Sequence, residues 1–106
     1  MTQKIDKNQL VKSASEAESL LKCAANRNRL MILCALLEGD KCVGELNQEI
    51  PLSQSALSQH LSILREAGLV ATQRDAQTIH YSIADQRIRP LLETLYTMFC
   101  GTETLE

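Results

Sequence analysis

Ser53-Gln54-Ser55-Ala56-Leu57-Ser58-Gln59-His60-Leu61-Ser62-Ile63-Leu64-Arg65-Glu66-Ala67-Gly68 decides how the rest of the chain is read. Leu57, Leu61 and Leu64 recur at helical spacing and form one apolar stripe. Gln54, Ser55, Ser58, Gln59 and Ser62 occupy the opposite face. These short uncharged side chains donate and accept hydrogen bonds, whereas a merely solvated helix more often carries Glu and Lys. Ser53 is placed to cap the helix start. Gly68 supplies the stop, with Arg65 in the last turn. The stretch therefore reads as a helix with one side for a core and the other for the base edges of a DNA groove. His60 is expected to pack beside it or to touch backbone phosphate.

Upstream, Ile50-Pro51-Leu52 interrupts the helical pattern for only three residues, and a short helix over Val43–Glu49 precedes it. A break this short forces two helices to cross steeply, which is a helix-turn-helix. Cys42-Val43-Gly44-Glu45 has the form of a capping box with Cys in place of Ser, with Asp40 as the alternative cap. Before it, a helix from Asn26 to the Gly39-Asp40 stop carries Leu30, Leu33, Cys34 and Leu37 in register. Met31, Ile32, Ala35 and Leu36 cover its remaining sides. A helix apolar nearly all round belongs at the centre. The first helix spans about residues 9–25, with Leu10, Ala14, Ala17, Leu21 and Ala24 on a stripe that must be buried somewhere.

Downstream, residues 69–74 and 78–83 alternate and are rich in β-branched side chains, so they read as two strands around the polar turn Asp75-Ala76-Gln77. A last helix begins between Asp85 and Pro90 and runs to Cys100, with Ile88, Leu92, Leu95 and Phe99 on one side and Gly101 as its stop. The fold class is thus mainly α with a small β-hairpin, a winged helix-turn-helix. Residues 1–106 form one domain, small enough that pairing into a homodimer through the terminal helices would enlarge its core.

Composition agrees. With 44% hydrophobic but only 3% aromatic residues and no Trp, the core must be aliphatic, which favours leucine-rich helix packing over a barrel. No apolar run approaches the roughly 18 residues of a membrane span, and Met1-Thr2-Gln3-Lys4 lacks a signal-peptide core, so no membrane partner and a cytoplasmic location are expected. In that reducing compartment the four cysteines read as thiols, ligands or sensors. The net charge of −2 argues against indiscriminate nucleic-acid affinity. Residues 1–30 hold six Lys or Arg against three acids, and the surplus reverses thereafter, so a phosphate grip rests on a few placed cations such as Arg65 and Arg74.

Leu52 to Leu61 and Leu64 to Val70, with Asn28-Arg29-Leu30 and Val43-Gly44-Glu45-Leu46, resemble the recognition-helix region, central helix and third helix of ArsR-type bacterial repressors. The likeness covers about residues 20–100. It implies a homodimer on an inverted-repeat, double-stranded DNA operator, with half-sites roughly 34 Å apart. Gln54, Ser55, Ser58 and Gln59 would then meet base edges, and Arg74 and Gln77 in the wing would reach phosphate or minor groove.

Many members of that family bind metals, but both of the family's usual sites are incomplete in this sequence. The thiolate motif needs cysteines on both sides of Val43, and here Cys42 faces Gly44. The zinc-type site needs Asp-x-His and a later His pair, and the chain offers Asp85-Gln86-Arg87 with no His after His80. No metal and no cofactor are expected.

Local electrostatics alone nominates Cys42, beside Lys41 at a helix start, as the most acidic thiol. The bland reading of Cys34 is a small core residue, and Cys100 at a helix C-terminus sits where the macrodipole disfavours a thiolate. The resemblance points elsewhere. Ile32-Leu33-Cys34 and Tyr96-Thr97-Met98-Phe99-Cys100 resemble the persulfide-sensing subgroup of the family, the BigR, SqrR and HlyU type. It implies that Cys34 and Cys100 of one subunit react with reactive sulfur species such as persulfides and become bridged, with sulfide-detoxification genes as targets. Cys23 and Cys42 have no assigned counterpart.

Three other functions stay open: a derepressor that displaces a nucleoid silencer, a protein-docking winged helix without thiol sensing, and a thiol oxidoreductase. The last lacks a Cys-x-x-Cys and a strand-helix-strand frame, so the chain is read as no enzyme.

Overall fold

The computed structural model describes residues 4–101. Five helices and three short strands follow one another as α1 (Lys7–Ala24), α2 (Arg27–Leu36), β1 (Lys41–Cys42), α3 (Val43–Glu49), α4 (Gln54–Glu66), β2 (Val70–Asp75), β3 (Thr78–Ile83) and α5 (Ile88–Cys100). Helix α2 packs against α1, α3, α4, α5 and β3, as its all-round apolar surface requires. Its Ile32, Leu33 and Leu36 are buried, and they meet Leu46 of α3, Leu57, Leu61 and Leu64 of α4, and Ile88 and Leu92 of α5 in one core.

Capping chemistry sets the helix starts. Helix α1 begins two residues before the expected 9, because Asp6 Oδ1 accepts from the backbone N–H groups of Asn8 (3.0 Å) and Gln9 (3.4 Å). The apolar period starts only at Leu10, so periodicity alone places the boundary late. Asn26 Oδ1 does the same for α2, accepting from Asn28 N (3.0 Å) and Arg29 N (3.1 Å). At α3 the carboxylate arm of the capping box is formed, with Cys42 N donating to Glu45 Oε1 at 2.9 Å.

The hairpin pairs Val70 with Ile83 through to Asp75 with Thr78, so β2 starts and ends one residue later than the expected 69–74 and Asp75, expected in the turn, closes the ladder. Its base is buried through Val70 and Ile83, while its tip stands in solvent. The tip is the two-residue turn Ala76-Gln77, where Ala76 takes φ +60°, a conformation that Gly or Asn adopts at lower cost. The two-strand expectation is corrected to a three-stranded sheet of order β1-β3-β2. Lys41 pairs with Tyr81 and Cys42 with His80. Two residues are too few to show a strand period, and only β3 gives them a partner.

The apolar stripe of α1 is left largely uncovered by the single chain. Only Ala24 is buried, while Leu10, Val11 and Leu21 are 55%, 76% and 51% exposed, as are Met98 (66%) and Phe99 (78%) near the end of α5. One chain places only the C-terminal end of α1 on the core and leaves the rest of these stripes bare, on the terminal helices through which a homodimer is expected to pair. No helix of the described residues is long and apolar enough to cross a membrane.

Candidate nucleic-acid interface and thiol pair

Helix α4 is held from one side and bare on the other. Leu57, Leu61 and Leu64 are fully buried. Ser53 Oγ accepts from Ala56 N at 3.2 Å, closing the helix start. The end is a Schellman turn: Gly68 N donates to Arg65 O and Leu69 N to Leu64 O, both at 3.0 Å. Gly68 takes the left-handed φ of +79° that the motif needs. Before α4, Asn47 Nδ2 donates to Leu52 O at 2.7 Å and fixes the tight turn after α3. Both ends and one face of the helix are thereby located by the rest of the domain.

Gln54, Ser55, Ser58, Gln59 and Ser62 are exposed on the free face, as is Arg65 in the last turn. Arg74 and Gln77 are exposed at the wing tip. His60 differs from its neighbours. It is half-buried, with Nδ1 3.4 Å from Nη1 of Arg29 at the start of α2. Sequence reasoning singled Arg29 out only as part of a family pattern. The signal that marks it is local: Asn26 caps α2, which fixes Arg29 in its first turn, directly after the C-terminus of α1.

Cys34 is half-buried on α2, and Cys100 is exposed at the end of α5. Burial pushes the Cys34 thiol above its ordinary range, and the nearby Cys100 pushes it further in the same direction. Charge on one thiol thus opposes charge on the other, although the two lie 66 positions apart in sequence. Cys23 is also raised by burial, with the Arg29 guanidinium acting the other way.

Cys42 caps the start of α3, as expected, but the cation beside it in sequence is engaged elsewhere. The ammonium of Lys41 is spent on Glu38 (2.8 Å) and Glu49 (2.6 Å), which raise its pKa. The Cys42 thiol instead donates to the Glu45 carboxylate. That carboxylate lies below its usual range because Cys42 donates to it from both backbone and side chain.

Asp85, at the first position of the zinc-type pattern, is gripped by the Arg87 fork, with Nε to Oδ1 at 3.0 Å and Nη2 to Oδ2 at 2.7 Å. This hydrogen bonding holds its carboxyl below the usual carboxylate range. Among the described residues no cluster of three His, Cys, Asp or Glu is arranged to hold a metal ion.

Residues 26–72 match the family model described as bacterial regulatory protein, arsR family. The chain is 45% identical over 92 residues to the transcriptional activator HlyU of Vibrio cholerae, an alignment covering 87% of this chain and 85% of that protein. The crystal structure of the transcriptional repressor BigR from Xylella fastidiosa superposes with a TM-score of 0.85 at 40% identity, covering 92% of this chain and all of that one. A homodimeric winged helix-turn-helix DNA-binding domain from Mycobacterium bovis shares the fold at 23% identity, with a TM-score of 0.72 and coverage of 92% and 89%.

Proposed function

Because the chain belongs to the arsR family of bacterial regulatory proteins, we propose that it is a homodimeric transcriptional regulator. In this reading it grips an inverted-repeat operator through α4 and the wing, and lets go when Cys34 and Cys100 take up reactive sulfur. One observation carries the DNA reading: an uncharged, hydrogen-bonding face on a helix whose other side is locked by three fully buried leucines. A groove-reading helix needs both, since base contacts specify only when the backbone beneath them is fixed. The uncovered apolar side chains of α1 and α5 supply the dimer face. The protein acts where the chromosome lies, in the cytoplasm.

Replacing Gln59 by Ala is expected to remove about 1–3 kcal/mol of specific operator binding, with the dimer mass unchanged in sedimentation. Arg74→Ala should weaken specific and random duplexes alike and flatten the salt slope, because a phosphate contact carries no sequence information. An operator bound equally well by the Gln59 variant sinks this assignment of the reading face. Zinc, cadmium and arsenite should each leave operator affinity flat. A ten-fold drop, about 1.4 kcal/mol of coupling, would show a metal site these residues do not provide.

The thiol reading rests on the neighbouring Cys34 and Cys100. Cys100 is exposed and meets a persulfide first; Cys34, shielded, resolves the adduct. The bridge balances as follows. Each inserted sulfur arrives from one persulfide, which leaves as a thiol. A further persulfide accepts the two electrons and two protons of the closing dithiol and departs as one thiol and one hydrogen sulfide. The product ties α5 to α2, the helix against which α4 packs. Operator affinity falls by as much as the bridge favours the non-binding arrangement of the two recognition helices. HlyU is named an activator and BigR a repressor. Operator binding gives either outcome, by blocking a promoter or by displacing a nucleoid silencer, and release reverses whichever it is. On its own operator the protein acts as a repressor.

A further inference from the structure

We propose that Arg29 is a positioning residue for DNA reading, a strut that sets the rotation of α4 by holding His60 against the junction of α1 and α2. The inference rests on the reading of α4 as the helix that enters the groove. Three contacts carry it. Asn26 caps α2 through the N–H of Arg29 itself (3.1 Å), so the backbone of Arg29 is fixed. Arg29 Nε donates to Cys23 O at 2.6 Å, one of the last carbonyls of α1, which has no partner within its helix and carries the negative end of the dipole. Arg29 Nη1 lies 3.4 Å from His60 Nδ1 on α4. One planar guanidinium therefore links the end of α1, the start of α2 and the middle of the reading helix.

His60 directly follows Gln59 and lies one turn from Ala56 and Leu64. The buried leucines set how deeply α4 sits. They leave its rotation about its own axis less tightly defined, since an apolar stripe tolerates small turns that a directional contact does not. A rotation of α4 by a few degrees swings Ser55, Ser58 and Gln59 away from base edges while leaving them exposed. A guanidinium nitrogen can only donate, so in this contact the imidazole accepts at Nδ1. His60 then serves the protein interior, in place of a phosphate contact.

The test measures binding of the reduced full-length protein to a duplex taken from upstream of its own gene and to a random duplex of equal length. Arg29→Ala and His60→Ala should each weaken the upstream duplex about ten-fold and the random one far less, and the double variant should be no weaker than the weaker single. His60→Asn, whose Oδ1 replaces Nδ1 as acceptor, should recover affinity to within about three-fold, and His60→Gln should not.

In free protein, the His60 ring nitrogen resonances should move in Arg29→Ala. Additive losses, failure of His60→Asn to recover binding, or unmoved ring resonances overturn the strut. Equal loss on both duplexes with a shallower salt slope for His60 variants alone makes His60 a phosphate contact and likewise overturns it. If the wild-type protein shows no preference for the upstream duplex, the reading of α4 fails and the positioning role with it. The ring resonances then still report whether Arg29 holds His60.

Discussion

Glutathione persulfide added to the reduced protein is expected to lower operator affinity at least ten-fold, about 1.4 kcal/mol, with sulfur inserted between Cys34 and Cys100 of one chain. Intact mass and peptide mapping read the bridge, and anisotropy on the operator reads release. Cys34→Ser and Cys100→Ser should each bind normally when reduced and fail to release, because a bridge needs both ends. The raised Cys34 thiol stays protonated at neutral pH, so an incoming reagent meets the exposed Cys100 first. Hydrogen peroxide and oxidised glutathione separate two geometries. A direct disulfide needs Cα atoms within about 7 Å, and each inserted sulfur extends the reach by about 2 Å. A pair set too wide for a disulfide answers to persulfide alone. Cys42→Ser is the control: with Lys41 held by two glutamates, it should respond as wild type. A response lost in Cys42→Ser, or sulfur mapped to Cys23, refutes the Cys34 and Cys100 pairing.

Leu61→Ala is expected to cost about 2–5 kcal/mol of folding stability, since it removes a fully buried side chain from the seam of α4 against the core and leaves a cavity that the crossed helices cannot fill. Ile63→Ala, two residues away and 44% exposed, should change stability by about 0.5 kcal/mol or less. Thermal unfolding at one fixed protein concentration measures both, because association of the chains would itself raise the midpoint. Equal effects would mean that α4 is not seated on the Leu57, Leu61 and Leu64 stripe, and the reading face would have to be redrawn.

The sequence by itself determined every element whose signal is local. The stripe of α4, its Ser53 cap and Gly68 stop, the bounds of α3, the presence of the hairpin and the centrality of α2 all follow from side-chain period and backbone preference within a few residues. The pairing of Cys34 with Cys100 has no local signal and comes from the family resemblance alone. Tertiary structure decided what depends on residues far apart in the chain. Strand β1 exists only because β3 lies beside it, and two residues have no period to read. The apolar stripe of α1 carries no mark that a single chain leaves it uncovered, since periodicity reports that a face is apolar and not what covers it. Lys41 looks like the partner of its neighbour Cys42, yet it turns to Glu38 and Glu49, because a flexible side chain follows the nearest carboxylates in space. His60 sits in the sequence among DNA-reading residues, and only packing of α4 across the start of α2 brings Arg29 to it, 31 positions away, where a hydrogen bond depends on distance in space and not on separation along the chain.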